Sequence, residues 1–128
     1  MRVLLDTQAF LWWTSGSDQL TPVAASVIED PATEVLVSVA SAWEVAIKVA
    51  VGRLELEADP ERYVPDRIRL HGFSTLEVAL DHALRAGSLP RIHDDPFDRI
   101  LVAQGQLERL PIITADPLIT RYDVETIW

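Results

Sequence analysis

The feature that most limits the possible folds is an alternation of short apolar runs with helical patterns along the whole chain. Arg2–Leu5, Glu34–Val37 and Pro111–Thr114 are apolar and partly β-branched, as buried strands are, and each is followed by a helical stretch or turn. Extended segments at Phe73–Leu76 and Val124–Trp128 add a third strand and a last edge strand. We therefore predict an α/β fold with a mainly parallel sheet of four to five strands covered by helices.

The size and composition of the chain fit one globular domain. It has 128 residues, of which 48% are hydrophobic and 24% charged, without repeats or linkers, so we expect a single domain over residues 1–128. The richest apolar run, Val35–Val51, is interrupted by charged and polar residues, and the N-terminal run reaches Asp6 too early for a signal peptide. We therefore expect a cytoplasmic protein without a membrane segment.

Cysteine content and net charge exclude several kinds of site. The chain has no cysteine, so disulfides, thiolate metal sites and cysteine nucleophiles are excluded, and any metal would be held by oxygen or imidazole. His71 and His82 have no second imidazole at ligand spacing, and we interpret them as structural or surface residues. The net charge of −9 argues against a general electrostatic grip on nucleic acid but leaves room for local contacts.

Two aspartates follow predicted strands. Asp6 comes directly after the first strand and Asp116 closely follows the fourth. Ligands of parallel α/β sheets bind outside the carboxyl ends of the strands, which makes both residues site candidates by position. Either could instead cap the next helix, and the two roles are compatible.

The segment Ile92–Gln106, IHDDPFDRILVAQGQ, starts a helix with acids. Asp95 is predicted to be the N-cap, with proline at the first helical position and Asp98 in the first turn, where the helix dipole favours negative charge. All of this could be capping. However, Asp98 shares its face with Leu101 and Val102, and a carboxylate beside the buried side of a helix needs a cation.

A fourth acid, Glu44, lies in the second turn of a helix predicted over 40–51. It neighbours an apolar stripe that is expected to face the core and consists of Val39, Trp43, Ala46, Ile47 and Ala50. Lys48 stands four residues further on. Glu44 is therefore either half of an exposed ion pair with Lys48 or an acid of a site, and the sequence alone leaves both open.

Convergence of these acids would create a metal site. Asp6, Glu44, Asp98 and Asp116 can meet only in three dimensions, and four like charges at close range need a divalent cation. Oxygen-only ligation favours Mg²⁺ or Mn²⁺. Such a centre suits phosphodiester hydrolysis, in which metal activates a water and stabilises charge on the phosphate.

Four segments also carry a family resemblance: LLDTQAFLWW, SVASAWEVAIKVAVGRL, LPRIHDDPFDRILVAQGQ and LPIITAD. They resemble, in order and spacing, the motif blocks of the PIN-domain family, and in particular the VapC-type toxins of bacterial toxin–antitoxin pairs. The resemblance runs from Arg2 to Trp128. It implies a three-layer α/β/α sandwich and a Mg²⁺- or Mn²⁺-dependent endoribonuclease that cleaves RNA, forms a homodimer and is inhibited by a small cognate antitoxin protein.

The resemblance also assigns site residues. The four acids of the family fall on Asp6, Glu44, Asp98 and Asp116. Polar positions near the metal fall on Thr7 and Thr114, and Asp95 is close enough to assist, although we interpret it mainly as the cap. These assignments imply that Asp6, Asp98 and Asp116 hold metal directly, with Glu44 as ligand or water-orienting group.

Two other functions remain open. A phosphatase of the haloacid-dehalogenase type would need a second aspartate where Gln8 stands. A non-catalytic binding module would use its acids as caps. It would bind through a surface helix over Pro60–Leu70, which Pro65 is expected to break or shift, together with Trp12, Trp13 and Trp43.

A further helix is predicted at 77–86 with an apolar side made of Val78, Ala79, Ala83 and Leu84.

Overall fold

The computed structural model describes residues 1–128 and contains one fully parallel sheet. Its five strands have the order β3-β2-β1-β4-β5 and are β1 (Arg2–Leu5), β2 (Glu34–Ser38), β3 (Ser74–Leu76), β4 (Ile112–Ile113) and β5 (Thr126–Ile127). β1 lies in the centre and pairs with β2 and β4. The predicted α/β class and the five predicted strands are confirmed, with small shifts of their ends.

Six helices cover the sheet on its two faces. They are α1 (Thr7–Thr14), α2 (Pro22–Glu29), α3 (Val39–Ala50), α4 (Pro60–Leu70), α5 (Leu80–Ser88) and α6 (Pro96–Glu108), and a 3₁₀ turn follows at Ile119–Arg121. Alternate strand residues point to opposite faces. Val3 and Leu5 therefore pack in a core with α1 to α4, whereas Leu4 packs in a second core with α6. The result is the expected three-layer α/β/α sandwich.

Helix α6 packs closely against the sheet at Gly105. A Cβ atom added at Gly105 would stand 2.8 Å from Cγ2 of Val124 and 3.1 Å from Cδ1 of Ile112, so only glycine allows this approach. The helix begins as predicted: Asp95 accepts hydrogen bonds from the backbone amides of Phe97 and Asp98. The close contact at Gly105 holds α6 against the sheet, and the cap at Asp95 defines where the helix begins.

Helix α4 does not behave as the sequence suggests. It continues through Pro65, so the prediction that this proline breaks or shifts the helix is wrong. Tyr63 and Val64, directly before it, are buried in the core shared with α1 to α3, and this packing compensates for the backbone hydrogen bond that proline removes. The helix is therefore a part of the core and not a free arm.

Helix α3 buries a different face from the predicted one. Its buried residues are Ala40, Ser41, Glu44 and Val45, whereas Trp43 is 64% exposed and Val39 is also exposed. The stripe expected to face the core thus points largely to solvent. The cause is the position of α3 beside the sheet edge, where its polar residues Ser41 and Glu44 face Thr7 and the other acids.

Helix α5 is also rotated relative to the prediction. It starts at Leu80, three residues later than expected, and the predicted apolar side at Val78, Ala79, Ala83 and Leu84 is exposed. Its buried residues are His82 and Ala86. His82 accepts a hydrogen bond from the amide of Ala79 at Nδ1 and lies 2.9 Å from Glu108 at Nε2. This buried imidazole attaches α5 to α6, in agreement with its interpretation as a structural residue.

No helix of the protein combines the length and the apolar character that crossing a membrane requires.

Candidate active site

The central strands bring two of the acids to one edge of the sheet. β1 and β4 are parallel neighbours with Leu5 opposite Ile113, and the amide of Asp6 donates to the carbonyl of Ile113 at 3.0 Å. Asp6 is buried and its Oδ1 accepts from the amide of Ala9 at 2.7 Å, so it is both a helix cap and a site residue. Asp116 leaves the same edge, with Oδ1 accepting from the amide of Leu118 at 2.8 Å.

Glu44 reaches the same place from α3, which follows β2 without a loop. Its side chain is buried at 4% exposure, and Oε2 lies 2.7 Å from the ammonium of Lys48. The ion pair considered at the sequence level therefore exists, but its acid is not on the surface. Oε1 of Glu44 is buried and has no hydrogen-bond partner. A buried carboxylate oxygen without a partner is costly and points to a missing cation or donor.

Asp98 completes the quartet from the first turn of α6. Its Oδ2 lies 3.1 Å from Nε2 of His93, and Nδ1 of that ring lies 2.7 Å from the hydroxyl of Tyr122. Sequence reasoning missed His93. The available signal was its place in the acidic segment, five residues before Asp98. From there an imidazole can contact the first turn of the helix that follows.

All four acids line one cavity of about 350 Å³. Its other lining residues are Thr7, Gln8, Trp12, Lys48, Asp95, Ala115 and Pro117. Thr114 is buried behind this wall, where its hydroxyl accepts a hydrogen bond from the amide of Asp116. Five carboxylates thus face a single ammonium. The structure brings every acid predicted from the sequence to one place.

The crowding of carboxylates changes their proton affinity. Burial and the charges of Asp116 and Glu44 raise the pKa of Asp6, hydrogen bonds from Thr114 and Ala9 oppose the shift, and the resulting pKa is about 6. Burial likewise raises the pKa of Asp98 to about 7, together with the charges of Asp95, Asp116 and Glu44, while the hydrogen bond from His93 lowers it. The centre is therefore short of positive charge.

The donor set fits a hard divalent cation. Five carboxylates line the cavity against one ammonium, and Oε1 of Glu44 is buried without a hydrogen-bond partner. No three His, Asp or Glu side chains are gathered closely enough to form a finished ligand set. Mg²⁺ and Mn²⁺ suit this arrangement, because Mg²⁺ keeps several waters and takes only one or two carboxylates directly.

Comparison with known proteins places the chain in a family. A family model described as PIN domain matches residues 3–125. Ribonuclease VapC16 of Mycobacterium tuberculosis is 43% identical over 58 residues, and this match spans 45% of the chain but only 40% of the length of VapC16.

Solved structures agree in fold. VapBC2 from Rickettsia felis, bound to a promoter DNA fragment, superimposes with a TM-score of 0.71 at 11% identity, covering 98% of this chain and 97% of that one. VapBC-1 from nontypeable Haemophilus influenzae gives a TM-score of 0.64 at 18% identity, with 98% and 96% covered. FitAcB from Neisseria gonorrhoeae gives 0.61 at 19% identity, also with 98% and 96% covered. A family match over almost the whole length, on a fold of this kind, shows that the chain belongs to the PIN domain family.

Proposed function

We propose that this protein is a Mg²⁺- or Mn²⁺-dependent endoribonuclease that acts as the toxin of a toxin–antitoxin pair. The observation that carries the proposal is the meeting of Asp6, Glu44, Asp98 and Asp116 in one cavity, with a buried oxygen of Glu44 left without a partner. The partial match to a protein named as a ribonuclease supports the reaction, and the fold shared with toxin–antitoxin complexes supports the biological setting.

The proposed chemistry is hydrolysis of an RNA phosphodiester bond by an activated water. When bound, the divalent cation supplies a water of lowered pKa and neutralises charge on the phosphate. Asp6, Asp98 and Asp116 would hold the cation directly, and Glu44 would be a further ligand or would orient the attacking water. Thr114 supports Asp6 by hydrogen bonding, and Thr7, hydrogen-bonded to Ser41, shapes the wall beside it.

Engagement of RNA would be local. The net charge of −9 offers no general attraction for phosphates, and Lys48 is the only basic side chain that lines the cavity. Binding should therefore depend on the cation and a few contacts, and should weaken with salt. We also expect a homodimer and a small antitoxin protein as partners. The exposed apolar side chains of Trp43, Leu80 and Leu84 are of the kind that partners cover.

Cleavage of RNA by the purified chain, freed of any bound partner, tests the proposal. Total bacterial RNA is incubated with Mg²⁺, with Mn²⁺ or with chelator, and the reaction is repeated with Asp98→Asn. We expect cleavage only with metal and its loss in Asp98→Asn. Asp94→Asn is the matched control, because Asp94 stands in the same segment but is exposed and faces Arg91.

Three results would contradict the proposal. Cleavage in chelator, or undiminished cleavage by Asp98→Asn, would rule out the metal mechanism. Tight Mn²⁺ binding without cleavage of any RNA would favour the alternative of a non-catalytic binding module or of another metal-dependent phosphoryl-transfer enzyme.

A further inference from the structure

Asp98 is held differently from the other acids of the cavity. Asp6 and Asp116 accept hydrogen bonds from backbone amides, and Glu44 pairs with a lysine. Asp98 instead accepts from the imidazole of His93, through Oδ2 at 3.1 Å. The side chains of His93 and Asp98 are only 11% and 17% exposed, so water competes little for this hydrogen bond.

The ring of His93 is fixed from its other side by Tyr122. Nδ1 and the tyrosine hydroxyl are 2.7 Å apart, and the two ring centroids are 5.4 Å apart. An ionised carboxylate can only accept, so the Nε2 that faces Asp98 carries the proton. In the neutral ring Nδ1 then has a free lone pair, to which the hydroxyl of Tyr122 donates. The hydroxyl of Tyr122 therefore supports the tautomer that donates to Asp98.

Tyr122 and the loop before α6 are in turn anchored. Tyr122 is 5% exposed and belongs to the core under α6. Nη1 of Arg99, the residue after Asp98, lies 3.3 Å from the tyrosine hydroxyl. The same guanidinium donates to backbone carbonyls at the end of α5 and in the following loop, those of Ala86, Leu89, Pro90 and His93. A connected set of hydrogen bonds thus holds the imidazole in place.

This support has an electrostatic reason. Asp98 faces the charges of Asp95, Asp116 and Glu44, and repulsion would turn an unsupported carboxylate out of the cavity. We propose that His93 is a positioning residue whose Nε2–H holds Oδ2 of Asp98, leaving Oδ1 for the divalent cation, with the hydroxyl of Tyr122 supporting that orientation of the ring. The inference rests on the proposed metal-dependent function. Partners that orient a ligating side chain commonly govern metal affinity.

Four variants of the full chain test the inference: His93→Leu, His93→Gln, Tyr122→Phe and, as control, His71→Leu. The dissociation constant of Mn²⁺ is measured by electron paramagnetic resonance of the free ion, and kcat and KM are measured for RNA cleavage. Thermal unfolding of the metal-free proteins monitors the fold. His71 is a suitable control because it packs between Trp13 and Phe73 and does not line the cavity.

We expect His93→Leu to weaken Mn²⁺ binding about 10–100-fold and to lower kcat/KM with it. His93→Gln should recover much of both, because its amide nitrogen can donate to Oδ2 as Nε2 does. Tyr122→Phe should weaken Mn²⁺ binding less than His93→Leu, and His71→Leu should leave it unchanged.

Unchanged Mn²⁺ affinity in His93→Leu would overturn the inference, and so would equal losses in His93→Leu and His93→Gln, which would indicate a merely structural ring. If His93→Leu does not fold, wild-type affinity in Tyr122→Phe has the same meaning. A wild type that neither binds Mn²⁺ nor cleaves RNA would instead remove the proposed function, and this inference with it. If the wild type is active and His93→Leu binds Mn²⁺ as tightly as the wild type, only the positioning role of His93 is contradicted.

Discussion

The two helical walls of the cavity hold their acids by different means. On the α3 wall, Glu44 pairs with the charged side chain of Lys48, which is 44% exposed. On the α6 wall, Asp98 accepts from the imidazole of His93, which is 11% exposed and held by Tyr122. One acid is thus paired with a half-exposed cation, and the other accepts a hydrogen bond from a buried imidazole.

The difference indicates separate roles for the two walls. On the proposed function, the ammonium at Oε2 of Glu44 would repel a divalent cation at the free Oε1 and so weaken its binding. The imidazole of His93 contacts only Oδ2 of Asp98, so it could keep its hydrogen bond while the other oxygen held a metal. On the proposed function, the α6 wall would therefore be preorganised for metal, whereas the α3 wall would hold a positive charge that opposes it.

Equivalent substitutions on the two walls should have unequal effects. Losing the charge of a directly bound carboxylate is worth several kcal/mol, so Asp98→Asn should lower kcat/KM about 100-fold or more. Glu44→Gln should cost less, because Lys48 already offsets part of the negative charge of Glu44. Steady-state cleavage of one RNA at saturating Mg²⁺ compares the two. A larger loss in Glu44→Gln would reverse the assignment of the walls.

The metal-free protein should lose stability as the pH rises. Burial and neighbouring charges raise the pKa of Asp6 to about 6 and that of Asp98 to about 7. Both groups keep their protons to higher pH in the folded than in the unfolded chain, so their favourable contribution is complete below about pH 4 and is lost as the pH rises through 6 and 7. We expect a loss of up to about 4 kcal/mol, roughly 10–20 °C in Tm, between pH 5 and pH 8 in chelator.

Thermal melts of Asp98→Asn and of wild type with Mg²⁺ sharpen this result. Asp98→Asn removes the contribution of Asp98 to the loss of stability, so Tm should depend less on pH. Added Mg²⁺ should raise Tm most at high pH, where the carboxylates are ionised. A Tm of the metal-free wild type that increases steadily to pH 8 would show that the acids do not repel one another as the geometry indicates.

Removing Lys48 should have opposite effects on stability and on metal binding. In Lys48→Met the buried charge of Glu44 loses its partner, at a cost of about 1 kcal/mol for a half-exposed cation. Mn²⁺ should bind several-fold more tightly, because a competing charge is gone. Calorimetric titration and denaturant unfolding measure both quantities.

Arg69→Met is the matched control for this variant. Arg69 and Asp66 also lie 2.7 Å apart, but both are well exposed, so little stability and no metal affinity should change. Weaker Mn²⁺ binding by Lys48→Met would mean that the lysine assists the α3 wall and does not compete with metal.

Much of the fold and the location of the acids could be predicted from local patterns. The strand Arg2–Leu5 and the cap at Asp95 each depend on a few adjacent residues, whose propensities agree with the structure. The parallel sheet then brings residues that follow its central strands, such as Asp6 and Asp116, to one edge. This is why acids far apart in sequence could be assigned to one site.

The faces of the flanking helices could not be predicted in the same way. On α3 and α5 the apolar stripe and the buried face differ, since Trp43 and Leu84 are exposed while Glu44 and His82 are buried. Burial of these polar groups depends on partners from other elements, Glu108 in the case of His82. His93 was missed for the same reason, because its significance depends on Tyr122, which is 29 residues away in the chain.

The close packing of α6 against the sheet at Gly105 links this contact to the position of Asp98 in the same helix. Gly105 lies seven residues beyond Asp98, about 10 Å along the axis at 1.5 Å per residue. A methyl group at Gly105 would clash with Val124 and Ile112. This clash would tilt α6 and move its N-terminal end, which carries Asp98. The position of the Asp98 carboxylate thereby depends on a buried residue that does not line the cavity.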